Sequence, residues 1–341
     1  MKFMNGIRKT TVLWLVLGTT LVLSGTFFFD ARAQGLGISG PHVHKNLTIF
    51  LIRGQDRLSG KLPLTLEEAL KQKRVIVHET GDVNELAIEN VSQDAEIFVQ
   101  SGDIVKGGRQ DRVISITFLV PARSGRIPIA AFCVEHGRWT PRAGELAVAF
   151  EASNAQIATR ELKLAVRLKG EQQEVWKDVA EAQGKLSSGL GVPVAPAASP
   201  SSLQLTLENT RLRDSVDEYI RALAPIVEKS PGVVGFAFAV NGKLSGAEVY
   251  GSSGLFQKIW AKSLRASAVE AIAESTDSQK FKQPTAADVT AFMNEADRAG
   301  ASEKQITPRF TLLTKESLRN VLFETRDGRA KATLHRSYVR K

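Results

Sequence analysis

"VVGFAFAVNGKLSGAEVYG", residues 233–251, is the stretch that decides the fold. A run of apolar and small residues reaches Asn241-Gly242, and a second β-type run follows. Asn-Gly tolerates positive φ at both central positions of a type I′ turn, whose twist matches that of paired strands, so the stretch predicts an antiparallel hairpin. Around it the apolar spacing changes from two to nearly four. Leu212, Val216, Tyr219, Ile220 and Leu223 share one helical face before it, and Phe256, Ile259, Trp260 and Leu264 share another after it. A helix capped at Thr285 and a hairpin around Asp327-Gly328 complete this half.

Toward the N-terminus, "NLTIFLI" from Asn46 reads as a strand, and Thr65 with Glu68 has capping-box spacing at the head of a short helix. "RVIVHE" is a further strand, and "ELAIENVSQDAEIFVQ" reads as two β runs folded at Ser-Gln-Asp into a hairpin. "VISITFLVP" alternates as one strand with Ile114, Ile116, Phe118 and Val120 on one face, and "RIPIAAFCVEHGRW" is another that runs into a Gly-Arg turn. "QQEVWKDVAEAQGKL" is helical, whereas "ELKLAVRL" before it fits either state. "SSGLGVPVAPAASPSS" reads as linker, neither helix nor central strand. The class is therefore α+β: a mainly antiparallel β unit with one early helix, then helices, then a second α+β half carrying β-hairpins.

Residues 1–33 have the form of a secretory signal. Lys2, Arg8 and Lys9 precede an apolar run from Thr11 to Phe29, and "ARA" at 31–33 is a small-x-small cleavage site. Cleavage there implies an exported protein, periplasmic or extracellular, with no later membrane span; retention of the run would leave an N-terminal anchor. The rest divides into a β-rich subdomain (34–150), a helical connector (151–190), a Pro/Ser-rich linker (191–203) and an α+β subdomain with a basic end (204–341). The net charge of +9 is concentrated at the two ends, because residues 309–341 alone hold nine basic and three acidic side chains. That segment has few aromatics interleaved with its charge, which argues against a nucleic-acid partner. Cys133 is the sole cysteine, so no internal disulfide forms.

The chemistry-bearing stretch is "DIVKGGRQDR", 103–112, where charge interrupts good sheet. Gly107 and Gly108 permit a turn with positive φ whose amides can face an anion, and Lys106, Arg109 and Arg112 surround it. It lacks the Gly-Lys-Ser/Thr ending of a phosphate-binding P-loop and precedes a strand. Strand parity turns Gln110 and Arg112 coreward, with Glu135 the expected partner of Arg112 and Asp103 the alternative. Glu135 and Asp103 are the candidate general bases. His42 and His44 lack a carboxylate pair at metal-ligand spacing, and neither a metal nor a cofactor is expected.

Asp103, Gly107, Gly108, Arg109, Gln110, Asp111 and Arg112, together with Cys133, Val134, Glu135, Gly137, Arg138 and Trp139, form two motifs that resemble those of the ARPP domain family, the ARG and rhodanese-phosphatase-superfamily-associated proteins. The resemblance runs from about His44 to Glu270. His136 fills a position where the family pattern does not require histidine. The resemblance implies a nucleotide- or ADP-ribose-like ligand and no particular reaction. The expected function is a binding module for an anionic small molecule, held by Lys106, Gly107, Gly108, Arg109, Gln110, Arg112, Arg138 and Trp139. A hydrolase using Glu135 or Asp103, or an envelope scaffold with a protein partner, are the alternatives.

Overall fold

The computed structural model describes residues 35–58, 60–142, 150–276 and 280–341; the signal reading of 1–33 lies outside them. The Asn241-Gly242 hairpin is present and central. Strand β12 (Val233–Val240) pairs antiparallel with β13 (Lys243–Tyr250), and Asn241 and Gly242 both have positive φ, 51° and 75°. An eight-stranded antiparallel sheet is built around the pair. On one side of β12 lie β2 (Leu47–Arg53) and β1 (Gly37–His44). Beyond β13 come β17 (Ala332–Arg340), β16 (Asn320–Asp327), β15 (Phe310–Glu316) and the edge strand β14 (Ala301–Gln305).

Both faces of this sheet are covered at β2 and β12, which explains why these strands are nearly continuous apolar runs. Leu47, Ile49, Leu51, Phe236 and Phe238 pack into a core shared with helix α7 (Ser253–Ala273), while Phe50, Ile52, Val234 and Ala237 pack with Val289 and Met293 of α8 (Ala286–Asp297). The strands β1 and β2 therefore belong to the sheet completed by the last third of the chain, although they lie within the 34–150 stretch.

The remaining strands form two smaller sheets. One runs β11 (Phe150–Gln156), β7 (Asp103–Gly107), β8 (Arg112–Ile114), β10 (Arg126–Cys133), β5 (Glu85–Asn90) and β4 (Val75–Glu79). The other joins β3 (Leu64–Thr65), β6 (Ile97–Val99) and β9 (Phe118–Val120). Two sequence readings are corrected here. The segment 85–99 is not a hairpin, because β5 pairs with β4 and β10 whereas β6 pairs with β3 and β9. "VISITFLVP" is not one strand: its alternation continues, but residues 115–117 carry the chain from β8 in one sheet to β9 in the other. Periodicity records which face is apolar and not which strand lies alongside.

Helix α1 (Leu66–Lys71) starts at the predicted capping box, with Glu68 N–H donating to Thr65 Oγ1 at 3.1 Å and Thr65 N–H donating to Glu68 Oε2 at 2.8 Å. "ELKLAVRL" resolves as helix α2 (Arg160–Leu164), which continues into a π-helical turn, Ala165–Lys169. Helix α3 (Gln172–Leu190) runs through Ser187, Ser188 and Gly189, so the head of the linker reading is helical. A side chain at Gly189 would meet the Ile272 carbonyl of α7 at 2.0 Å, so glycine is what allows the two helices to approach this closely. Past α3 the segment is packed rather than free, with Val194 and Ser202 fully buried. Short α4 (Leu203–Leu207) and α5 (Thr210–Leu223) then return the chain to β12 through one further turn, α6 (Pro225–Glu228).

Between the large sheet and α2 with its π-turn lies a polar seam. Lys163 donates to Glu270 at 3.1 Å, and Arg167 donates to Ser337 Oγ and to the Ser101 carbonyl, both at 2.6 Å. Ser337 in turn donates to Glu248 at 2.8 Å, and Glu248 faces His335 at 2.8 Å.

Candidate functional site

The strand β7 ends at Gly107, and the turn that follows is closed from inside. Asp111 reaches back across it, accepting from the Gly107 amide at 2.9 Å, while Glu79 of β4 accepts from the Arg109 amide at 3.0 Å. Gly107 and Gly108 have φ of 111° and 60°, the left-handed region. A side chain at Gly108 would meet Phe150 at 2.5 Å and Glu79 Oε1 at 2.8 Å. The missing Cβ thus makes room for a carboxylate of the protein itself, and the Gly107 and Arg109 amides are spent on internal acids.

Arg112 is fully buried, as parity predicts, and Gln110 is 2% exposed. The expected partner is corrected: Arg112 donates to Glu79 at 3.2 Å and to the Val83 carbonyl at 2.6 Å, not to Glu135 or Asp103. Its Nε has no hydrogen-bond partner. Cys133 sits opposite Arg112 in the β10–β8 register, and burial pushes its thiol up to about 11 despite the pull of Arg112, so it is neutral near pH 7.

Glu135 lies just beyond β10, fully buried, in a second cluster. It is paired with Arg138 at 2.7 Å and Arg142 at 3.4 Å and accepts from Ser199. Arg142 also grips Asp111 through both carboxylate oxygens, at 2.7 and 2.8 Å. Ser202, the N-cap of α4, accepts from Arg142 at 3.2 Å and donates to Asp111 at 3.4 Å. Burial raises the Asp111 carboxyl above its ordinary value, opposed by Arg142 and assisted by the charge of Glu135. Asp103 is elsewhere: it accepts from Gln156 and Lys262, both at 2.9 Å, and Lys106 is paired with Glu208 at 2.7 Å. The two candidate bases therefore do not share a site.

Of the eight binding candidates, the structure gathers Gly108, Arg109, Arg112 and Trp139. Both guanidinium groups lie over the Trp139 ring, 5.7 Å away for Arg109 and 5.5 Å for Arg112. Arg109 is exposed and Trp139 is 39% exposed. Residues 35–335 match the family model described as the ARG and Rhodanese-Phosphatase-superfamily-associated Protein domain, ARPP-1. The chain belongs to the ARPP-1 family. Searches of curated proteins and of solved structures each give no match.

Sequence reasoning missed four residues that organise this part of the ARPP-1 domain: Glu79, Arg142, Ser199 and Ser202. Glu79 had a signal, because it follows Val75 and Val77 at core parity in β4, and a carboxylate in such a place needs a cation. Ser199 and Ser202 were hidden by the linker reading. Among the described residues, no helix is long and apolar enough to cross a membrane and no His/Cys/Asp/Glu group could hold a metal ion.

Proposed function

We propose that the protein is an exported binding module for a small anionic ligand with a planar, nucleotide-like portion, bound at Arg109 and Trp139. One observation carries this reading. Lys106, Arg112 and Arg138 are all paired with carboxylates, whereas the Arg109 side chain has no carboxylate partner among the described residues and lies over a partly exposed indole. Such a pair offers a charge for the anion and a π face for a ring. The residues Gly107 and Gly108 shape the turn that presents Arg109 and are not themselves contacts. Export rests on the basic, apolar and small-residue order of 1–33, and protein recovered from an envelope or culture fraction should begin at Gln34 by intact mass.

Thermal-shift titration against phosphate, AMP and ADP-ribose tests the binding reading. The two nucleotides should stabilise the protein more than phosphate does, and Arg109→Ala should weaken them by about 1.5–3 kcal/mol, the range for hydrogen bonds to charged groups. Trp139→Ala should abolish the preference for nucleotides over phosphate. If none of the three anions stabilises the wild type, or both variants respond unchanged, Arg109 and Trp139 are a solvated surface pair. Product formation during the titration would replace binding by the hydrolase reading, with Asp111 beside Glu135 as its acids.

A further inference from the structure

A cleft of about 510 Å³ opens between β11, α4, α5 and α7, and it shares no lining residue with Arg109 and Trp139. Its size is that of a small-molecule site. The motif strand β7 stands behind it: Asp103 holds Gln156 of the lining, and Lys106 holds Glu208. Part of the lining is apolar, contributed by Ala155, Leu207, Val216, Ala266 and Val269. Its four charged lining residues, two acids and two arginines, balance only until their pairing is counted. Glu208 is neutralised by Lys106, and Asp217 faces Arg265 at 3.4 Å, which leaves Arg213 as the surplus cation. The Arg213 residue is exposed and its guanidinium has no partner among the described residues, and the same is true of the Asn154 side chain.

We propose that this cleft is a second binding site, for a small monoanion with an apolar body, such as a medium-chain carboxylate. The anionic head is held by Arg213 with Asn154 as an additional donor, and the body covers the apolar part of the lining. Small residues matter there: Ala155 and Ala266 leave the volume open, and a larger side chain at 266 would fill it. An unpaired guanidinium beside a partly apolar lining favours a ligand that supplies both complements, and neither a bare inorganic anion nor a neutral amide does so.

Isothermal titration of the full protein with hexanoate, hexanamide and acetate decides the matter. Hexanoate should bind saturably, with hexanamide and acetate each at least about tenfold weaker. Arg213→Gln should weaken hexanoate by about tenfold, and Ala266→Leu should abolish it, with circular dichroism confirming that each variant is folded. Arg109→Ala should leave hexanoate untouched, so loss of the Arg109 site and loss of this one are separable. Equal binding of hexanoate and hexanamide, no binding of hexanoate, or binding that survives Arg213→Gln in a folded protein would each overturn the proposal.

Discussion

The charged turn at 107–112 and the polar seam under the large sheet contain the same residue types, yet they are assembled differently. In the seam Lys163, Arg167, Glu248, Glu270 and His335 come from remote parts of the chain and lie close together, and Lys163 and Arg167 each have an internal acceptor. In the turn the charges are close in sequence, and Glu79 and Arg142 arrive from outside to satisfy them, with Arg109 left over. Burial of charge therefore does not mark a site by itself. The informative quantity is the remainder after internal pairing, because only an unspent group facing solvent can be used on a ligand.

The sharpest way to break this comparison is at Arg112. Its removal leaves Glu79, whose side chain is 9% exposed, without its cation, and Arg112→Ala should cost about 3–5 kcal/mol. Denaturant midpoints measure it. A double variant with Glu79→Gln should recover part of the loss, whereas additive losses would show that the pair is not coupled. Next comes Gly108→Ala, which combines positive φ with a contact at 2.5 Å to Phe150 and should destabilise by about 1–3 kcal/mol. An unchanged melting temperature for that variant would mean that the turn relaxes freely.

The two clusters should also differ in their response to pH. At Glu248 burial raises the carboxyl, but His335, Arg167 and Lys163 outweigh it and hold it below its ordinary value. Its folded value lies below its unfolded one, so its contribution is full above the unfolded value and is lost as pH falls through the folded value. At Asp111 burial wins and the carboxyl is raised, which gives the opposite sign: stability is lost as pH rises from the unfolded value through the folded one. Stability measured from pH 7 down to pH 2 should thus show a weaker acid-induced decline in Glu248→Gln and a steeper one in Asp111→Asn, each relative to wild type. The smallest effect belongs to Lys106→Ala. Its pair with Glu208 is partly exposed at 26% and 38%, and the loss should stay under about 1 kcal/mol.

What was legible in the sequence was local. The capping box at Thr65, the turn at Asn241-Gly242 and the apolar face of α5 are each set by residues within a few positions, and each is found where the pattern puts it. What was not legible depended on partners. The alternation through 113–120 is real, but a change of sheet at 115–117 leaves no mark on it, since Ile114 at the end of β8 and Phe118 and Val120 in β9 are all buried apolar side chains. Likewise the coreward direction of Arg112 followed from parity, and the identity of its partner did not. Three of the four missed residues lie in β4 or in the Pro/Ser-rich segment, where composition alone indicates strand or linker.

The pairing of β2 with β12 carries a consequence for how the chain reaches its native state. Leu47–Arg53 is a nearly uninterrupted apolar strand whose inner neighbour, Val233–Val240, is made only after most of the polypeptide. The hairpin of β1 and β2 is therefore synthesised long before β12, and until β12 follows one of its edges is unpaired. A topology of this kind closes its longest loop late, folds slowly and exposes a sticky edge meanwhile. Chains truncated before residue 233 should accordingly aggregate or be retained by holdase chaperones, while addition of the β12–β13 hairpin gives that edge its partner.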